Sequence, residues 1–140
     1  MGKGKEMAKG NGIVPLTEVC RFVSDAMEAV GTPKMHAAAM ADLLVAADYR
    51  GHFSHGLNRL EMYVRDVRSK STNAEATPTI LKEKAAVALV NGNNALGPVV
   101  GNFCMDLAMK KAKETGVGWV SARGEIAFLW NSSTIIFLRP

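Results

Sequence analysis

Apolar residues recur at helical spacing in the first half of the chain and give way to short extended runs in the second. Val19, Phe22, Val23, Ala26, Met27 and Val30 repeat at three and four, which predicts an amphipathic helix capped by Thr17 and closed by Gly31. Thr32 followed by Pro33 pairs a capping residue with the proline favoured at a first helical position. A second helix should therefore run through the alanine-rich segment to Leu43, Leu44 and Val45 and stop near Gly51. His36 falls in its first turn and is expected to be a solvated surface histidine. Leu57, Leu60, Val64 and Val67 form the buried stripe of a third helix from about Gly56 to Arg68. His55, Arg59 and Asp66 fall near its opposite side, with Tyr63 on the flank.

After a polar linker from Ser69 to Thr77, the period changes. Thr79 to Lys82 and Ala86 to Asn91 read as neighbouring strands across a charged turn at Glu83 and Lys84, with Asn91-Gly92 as a further turn signal. Val100, Phe103, Cys104, Leu107 and Ala108 then predict a helix from about Pro98 to Thr115, ended by Gly116. Val117 to Ala122 reads as a buried strand. The fold class is thus mixed α/β, three helices followed by strand, strand, helix and strand. Residues 125 to 140 differ: two apolar runs flank a polar break at Asn131-Ser132-Ser133, a pattern for a strand or hairpin with an aggregation-prone edge.

A length of 140 residues with 48% hydrophobic content allows one modest core. Lys3, Lys5 and Lys9 against Glu6 place +2 of the net +4 in the first nine residues, so the basic charge belongs to a tail and not to a nucleic-acid-binding face. That tail, residues 1–12, is Gly- and Lys-rich and expected to be disordered. Gly2 invites comparison with a myristoylation site, but Glu6 stands where Ser or Thr is needed. No apolar run approaches the roughly 18 residues of a membrane span. Cys20 and Cys104 lack paired spacing and read as reduced thiols of a cytoplasmic protein. The polar start from Met1 to Gly12 lacks the apolar core of a signal peptide, so the acceptor pattern at Asn131 is expected to carry no weight.

Chemistry concentrates between Ala47 and Tyr63, where two histidines, two arginines and two tyrosines surround two glycines. Asp48, His52 and His55 have the i, i+4, i+7 spacing of a metal triad, but Gly51 and Gly56 interrupt the helix that spacing requires. Ser54 beside His55 lacks the Gly-x-Ser-x-Gly elbow of a hydrolase. Arg59 with Tyr63 is more informative. A planar guanidinium holds a carboxylate through two parallel hydrogen bonds, and a tyrosine one turn on can donate to the same ligand. A solvated polar helix face is the alternative. Gly92, Gly97 and Gly101 do not make G-x-G-x-x-G, although the helix start near them offers free N–H groups to an anion.

Taken together, Ala47-Asp48-Tyr49-Arg50-Gly51-His52-Phe53-Ser54-His55-Gly56 with Arg59 and Tyr63 resembles the N-terminal signature of the malate/L-lactate dehydrogenase family, which includes ureidoglycolate and sulfolactate dehydrogenases. Asn91-Gly92-Asn93-Asn94-Ala95-Leu96-Gly97 and Gly116 to Gly124 look like its next blocks, so the resemblance covers about residues 14–124. It implies a non-Rossmann, NAD- or NADP-dependent oxidoreductase that interconverts small 2-hydroxy and 2-oxo acids and is usually dimeric. Carried over, Ser54, His55, Arg59 and Tyr63 line the substrate pocket, with Arg59 as carboxylate clamp.

One departure stands at the reacting centre. The family continues from this glycine as Ser-Asn-His, whose histidine is the general acid/base, whereas Gly124 is followed by Glu125-Ile126-Ala127. Ala127 cannot exchange a proton, and losing such a group costs roughly a hundred- to ten-thousand-fold in rate. The expectation is a family domain over residues 13–124 with a divergent tail at 125–140, a truncated form inactive alone. Its partner would be a second copy or a full-length sibling; the alternative is a non-catalytic fragment that acts by pairing with a full-length family member.

Overall fold

The computed structural model describes residues 13–124 and the backbone of 134–138. The N-terminal tail expected at 1–12 and residues 125–133, including Ala127, lie outside the described residues. Helix α1 spans Leu16–Glu28, and α2 spans Lys34–Tyr49. Two single 3₁₀ turns, Phe53–His55 and Leu57–Arg59, lead into α3 at Leu60–Arg68. Strands β1 (Thr79–Glu83) and β2 (Val87–Asn91) are followed by helix α4 (Gly97–Thr115), β3 (Val117–Arg123) and β4 (Thr134–Leu138). The mixed α/β organisation is the one the hydrophobic pattern predicts.

The helix starts differ from expectation, and both differences come from proline. Pro15 precedes α1, and its carbonyl accepts from Glu18 and Val19 N–H at 3.0 and 3.2 Å. Thr17 therefore sits inside the first turn instead of capping it. At α2 the cap is Pro33, while Thr32 is buried with an Oγ1 that finds no partner among the described residues. Fixed proline φ values of −58° and −57° set the chain for a helix without a side-chain cap.

Val23 and Met27 of α1 meet Ala37, Met40, Ala41 and Leu44 of α2, and Leu60 and Val67 of α3 close the same core. The stripes read from sequence are wider than the surface that covers them. Phe22 is 56% exposed and Leu43 45% exposed, because each lies at the rim of its stripe. His36 is not a solvated histidine: its ring Nδ1 lies 2.7 Å from the carbonyl of Ala74 and donates to it, fastening the linker to α2.

The sheet runs β1-β2-β3-β4. β1 pairs with β2 antiparallel, with a bulge between Ile80 and Lys82. β2 and β3 are parallel, joined by α4, and β4 lies antiparallel on the free side of β3. Val90, Val100, Cys104, Ala108, Val120 and Ala122 form a second core between α4 and the sheet. β3 is not buried on both faces as its apolar run implies. Gly118, Val120 and Ala122 turn toward α4, whereas Trp119 is 49% exposed on the other face. Lys111 crosses from α4 to the β1–β2 hairpin, donating to the Lys84 carbonyl at 2.7 Å and to Glu83 Oε2 at 3.1 Å. Among the described residues no helix is long and apolar enough to cross a membrane.

Helix and strand approach most closely at Gly118, where an added Cβ would lie 1.9 Å from the carbonyl oxygen of Ala108. Backbone cannot yield there as a flexible side chain would. Gly118→Ala should destabilise the domain by about 3 kcal/mol, at the upper end of overpacking effects. Urea unfolding would register this as a lowered midpoint, and an unchanged midpoint would contradict the packing described.

Candidate functional site

The polar cluster is shaped by how α2 stops. Arg50, Gly51 and His52 return their N–H groups to the carbonyls of Ala46, Asp48 and Ala47 at 3.1, 2.9 and 2.8 Å, and Gly51 takes φ +80° to make the turn. Two 3₁₀ turns follow, closed by His55 N–H on the His52 carbonyl and Arg59 N–H on the Gly56 carbonyl, at 2.8 and 2.9 Å. The third helix thus does not start at Gly56. An extended backbone at Gly56 (φ −96°, ψ −142°) separates the turns, and the α-helix begins only at Leu60.

This geometry brings three of the four expected residues together. Ser54 Oγ lies 2.8 Å from His55 Nδ1, and Arg59 Nε donates to the Ser54 carbonyl at 2.7 Å. Arg59 is thereby held side-on. Its Nη1 and Nη2 have no hydrogen bond among the described residues, so the end of the fork is the part available to a carboxylate. If Ser54 donates to Nδ1, the His55 proton resides on Nε2 and makes a second donor. Ser54 and His55 are exposed, and Arg59 is half-buried.

Tyr63 stands apart from the other three. Its ring packs against the helical core instead of lying on an open polar flank. Burial pushes its phenol above the ordinary tyrosine value; the nearby Arg59 charge pulls it down, and Asp66 pushes it further up. Its coupling to Arg59 keeps it within the electrostatic reach of the site.

A cavity of about 260 Å³ opens beside the cluster, lined by Leu43, Ala46, Ala47, Arg50, His52 and His55. His55 joins this cavity to the Ser54–Arg59 pair. In the sequence Arg50 belongs only to a dense polar stretch and His52 to that stretch and to the metal-like triad with Asp48 and His55, since nothing in their spacing marks a shared wall. A larger hollow of about 590 Å³ lies over the open sheet face near Val87, Leu89 and Trp119 and touches none of the four residues.

Other readings of the sequence find less support. Asp48, His52 and His55 are not on one helix, because α2 ends at Tyr49. Asp48 Oδ2 instead accepts the N–H of Leu57 at 2.9 Å, and no metal-ready group of three ligands occurs among the described residues. The anion seat expected at the start of α4 is largely consumed. Gly92, Asn94 and Ala95 give their N–H groups to the carbonyls of Arg123, Gly124 and Gly92, and Asn93 N–H goes to Asn91 Oδ1. Pro98 has no N–H to offer. Val99 and Val100 N–H both return to the Leu96 carbonyl, at 3.0 and 3.2 Å.

The chain matches the family model described as malate/L-lactate dehydrogenase over residues 14–129, a stretch that takes in position 127. The chain belongs to the malate/L-lactate dehydrogenase family. It is 41% identical over 110 residues to a malate dehydrogenase of Pyrococcus horikoshii, covering 79% of this chain and 31% of that protein. With the L-sulfolactate dehydrogenase of Methanocaldococcus jannaschii the identity is 38% over 103 residues, 74% of this chain and 30% of the relative. The solved malate dehydrogenase structure from P. horikoshii superposes with a TM-score of 0.78 at 39% identity, covering 86% of this chain and 35% of the other. The chain therefore spans about a third of the length of the curated relatives it matches. Both relatives are named as dehydrogenases, so the family is one of oxidoreductases.

Burial suppresses ionisation of the Tyr63 phenol in the folded state. The folded state prefers the protonated phenol, so its contribution is complete below the unfolded-state value of about 10 and is lost as pH rises through the elevated folded value. Tyr63→Phe should flatten the alkaline fall in the urea midpoint as pH rises above about 10 relative to the unaltered chain. Parallel pH curves for the two would show that Tyr63 keeps its ordinary ionisation.

Proposed function

We propose that this chain carries the substrate-gripping part of a 2-hydroxy-acid dehydrogenase site. The observation that supports it most directly is the pair of contacts that hold Arg59 Nε and His55 Nδ1 on Ser54, leaving the outer guanidinium nitrogens and His55 Nε2 for a ligand. Donors of this kind suit the carboxylate of a small 2-hydroxy or 2-oxo acid, in keeping with the malate and sulfolactate named for its relatives. Tyr63 supports the grip from the core side, where its neutral phenol lies in the field of Arg59.

In this reading Ser54, His55, Arg59 and Tyr63 bind and orient, while proton transfer is the missing function, because Ala127 stands where the family's Ser-Asn-His pattern has its acid/base. A nicotinamide cofactor, NAD or NADP, supplies or accepts the hydride when bound. We assign its phosphates to the part of the family's length that this chain does not span, since the β2–α4 turn spends its N–H groups internally. The chain alone is expected to bind acid without turning it over. A second reading, association with a full-length family member or a second copy, draws support from the open sheet face, where Val87 and Trp119 are exposed.

Titration calorimetry of the purified chain with L-malate and with L-sulfolactate tests the first reading. Arg59→Ala should weaken binding by about 10- to 100-fold, the worth of charge-assisted hydrogen bonds of roughly 1.5–3 kcal/mol, and incubation with NADH and 2-oxo acids should give no turnover. Equal affinity in Arg59→Ala, or no carboxylate binding by the unaltered chain, would overturn the grip. Measurable turnover would overturn the assignment of Ala127.

A further inference from the structure

The grip on Ser54, His55 and Arg59 is built from two 3₁₀ turns that are unequally anchored: Leu57 of the second packs against the helical core, whereas the first has no such contact among the described residues. Phe53 is 69% exposed, and Ser54 and His55 are exposed beside it. Core packing through Leu57 reaches only the second turn, so the position of the first turn relative to α2 needs a further constraint. Resting on the carboxylate-binding reading above, we propose that Asp48 is a positioning residue, a latch that fixes these turns so that Arg59 and His55 converge on one ligand.

Three observations carry this. First, Asp48 Oδ2 accepts the N–H of Leu57 at 2.9 Å, nine residues on. That amide opens the second 3₁₀ turn, whose last residue is Arg59, and immediately follows the first turn bearing Ser54 and His55. Second, Gly56 leaves room for the carboxylate: a Cβ there would lie 1.7 Å from Asp48 Oδ1 and 2.2 Å from its Cγ. Gly56 has a negative φ of −96°, so a left-handed backbone does not explain the glycine; the space taken by Asp48 does. Third, Asp48 is the penultimate residue of α2, a helix without a basic residue in its last turn. A negative charge near a helix C-terminus opposes the macrodipole. The carboxylate is therefore unfavourable for the helix that carries it, and its compensation lies in the loop.

The latch acts through geometry. A charge-assisted hydrogen bond fixes the Leu57 amide, and Arg59 N–H on the Gly56 carbonyl at 2.9 Å passes that constraint to the clamp. Small displacements of a positioning element weaken a convergent site far more than they weaken the fold.

Two readouts on the same variants test this. Amide hydrogen exchange at Leu57 should be protected in the unaltered chain, at least about tenfold faster in Asp48→Ala, and protected again in Asp48→Asn, which keeps an acceptor oxygen without the charge. L-malate affinity should follow the same order, falling about tenfold in Asp48→Ala and recovering in Asp48→Asn. Gly56→Ala should match Asp48→Ala, and the double variant should be no worse than either, because both break one contact. Unchanged urea midpoints for the helical core would separate loss of positioning from loss of folding. Leu57 exchange and malate affinity both unaffected by Asp48→Ala would overturn the latch, as would an Asp48→Asn no better than the alanine variant. Should the unaltered chain bind no carboxylate, the proposed function fails by itself, and Leu57 exchange still decides whether Asp48 holds the turns.

Discussion

Helix α4 has to satisfy two cores at once, and the arrangement of the domain depends on how it does so. At its start Leu96 belongs to the helical core and Val99 packs against it, while Ala95 and Val100 belong to the core under the sheet. Farther along, Cys104 and Ala108 belong to the core under the sheet. A helix that serves one core through its first turn and another along its length cannot rotate without exposing one of them. Small residues at the sheet contact, above all Gly118 beneath the Ala108 carbonyl, allow the close approach that makes both contacts compatible. The end of β3 is fixed in consequence, and with it the point from which the chain leaves toward residue 127.

That exit is held by polar bonds of unusual density. Asn93 and Asn94 both adopt positive φ, at 52° and 59°, conformations that asparagine tolerates better than most residues. Asn93 Nδ2 donates to the Thr77 carbonyl and Asn94 Nδ2 to the Ser71 carbonyl, both at 2.7 Å, so one short turn ties the linker to the strands. Gly92 and Asn94 N–H groups cap the carbonyls of Arg123 and Gly124. The loop thus spends the N–H groups of Gly92, Asn93, Asn94 and Ala95 on its own geometry.

How much of this was legible in the sequence depends on the range of the deciding interaction. Period-3.6 stripes located α1, α3 and α4, the Thr32-Pro33 start and the alanine-rich run located α2, and Gly116, at φ +85°, closes α4 as expected of a residue that tolerates the left-handed region. Thr17 and Thr32 failed as caps because the neighbouring prolines offered the same start through the backbone alone. Phe22 and Trp119 failed as core residues because a sequence stripe records apolar character but not how many neighbours arrive to cover it. At the site, Arg59 and His55 were visible as residue types, while their common tether on Ser54 was not. The bond from Asp48 to Leu57 left only a faint mark, an acid eight residues before a glycine, and the i, i+4, i+7 spacing of Asp48 with two histidines pointed to a metal instead.

In the proposed reading, binding and chemistry are separated along the chain, and the energetic consequence differs from a simple loss of strength. Interactions made equally with substrate and transition state lower the substrate concentration needed for occupancy but leave the barrier from the bound state unchanged. As proposed, Arg59 and His55 would act on a carboxylate that does not react, so their contribution would be largely of this uniform kind. The differential term belongs to a group that moves a proton as hydride leaves or arrives, and alanine at 127 supplies none. A chain with an intact grip and no proton acceptor should therefore hold its acid about as tightly as a competent relative does. Retained affinity without turnover follows from the way the two kinds of interaction enter the rate, and it requires no damage to the fold.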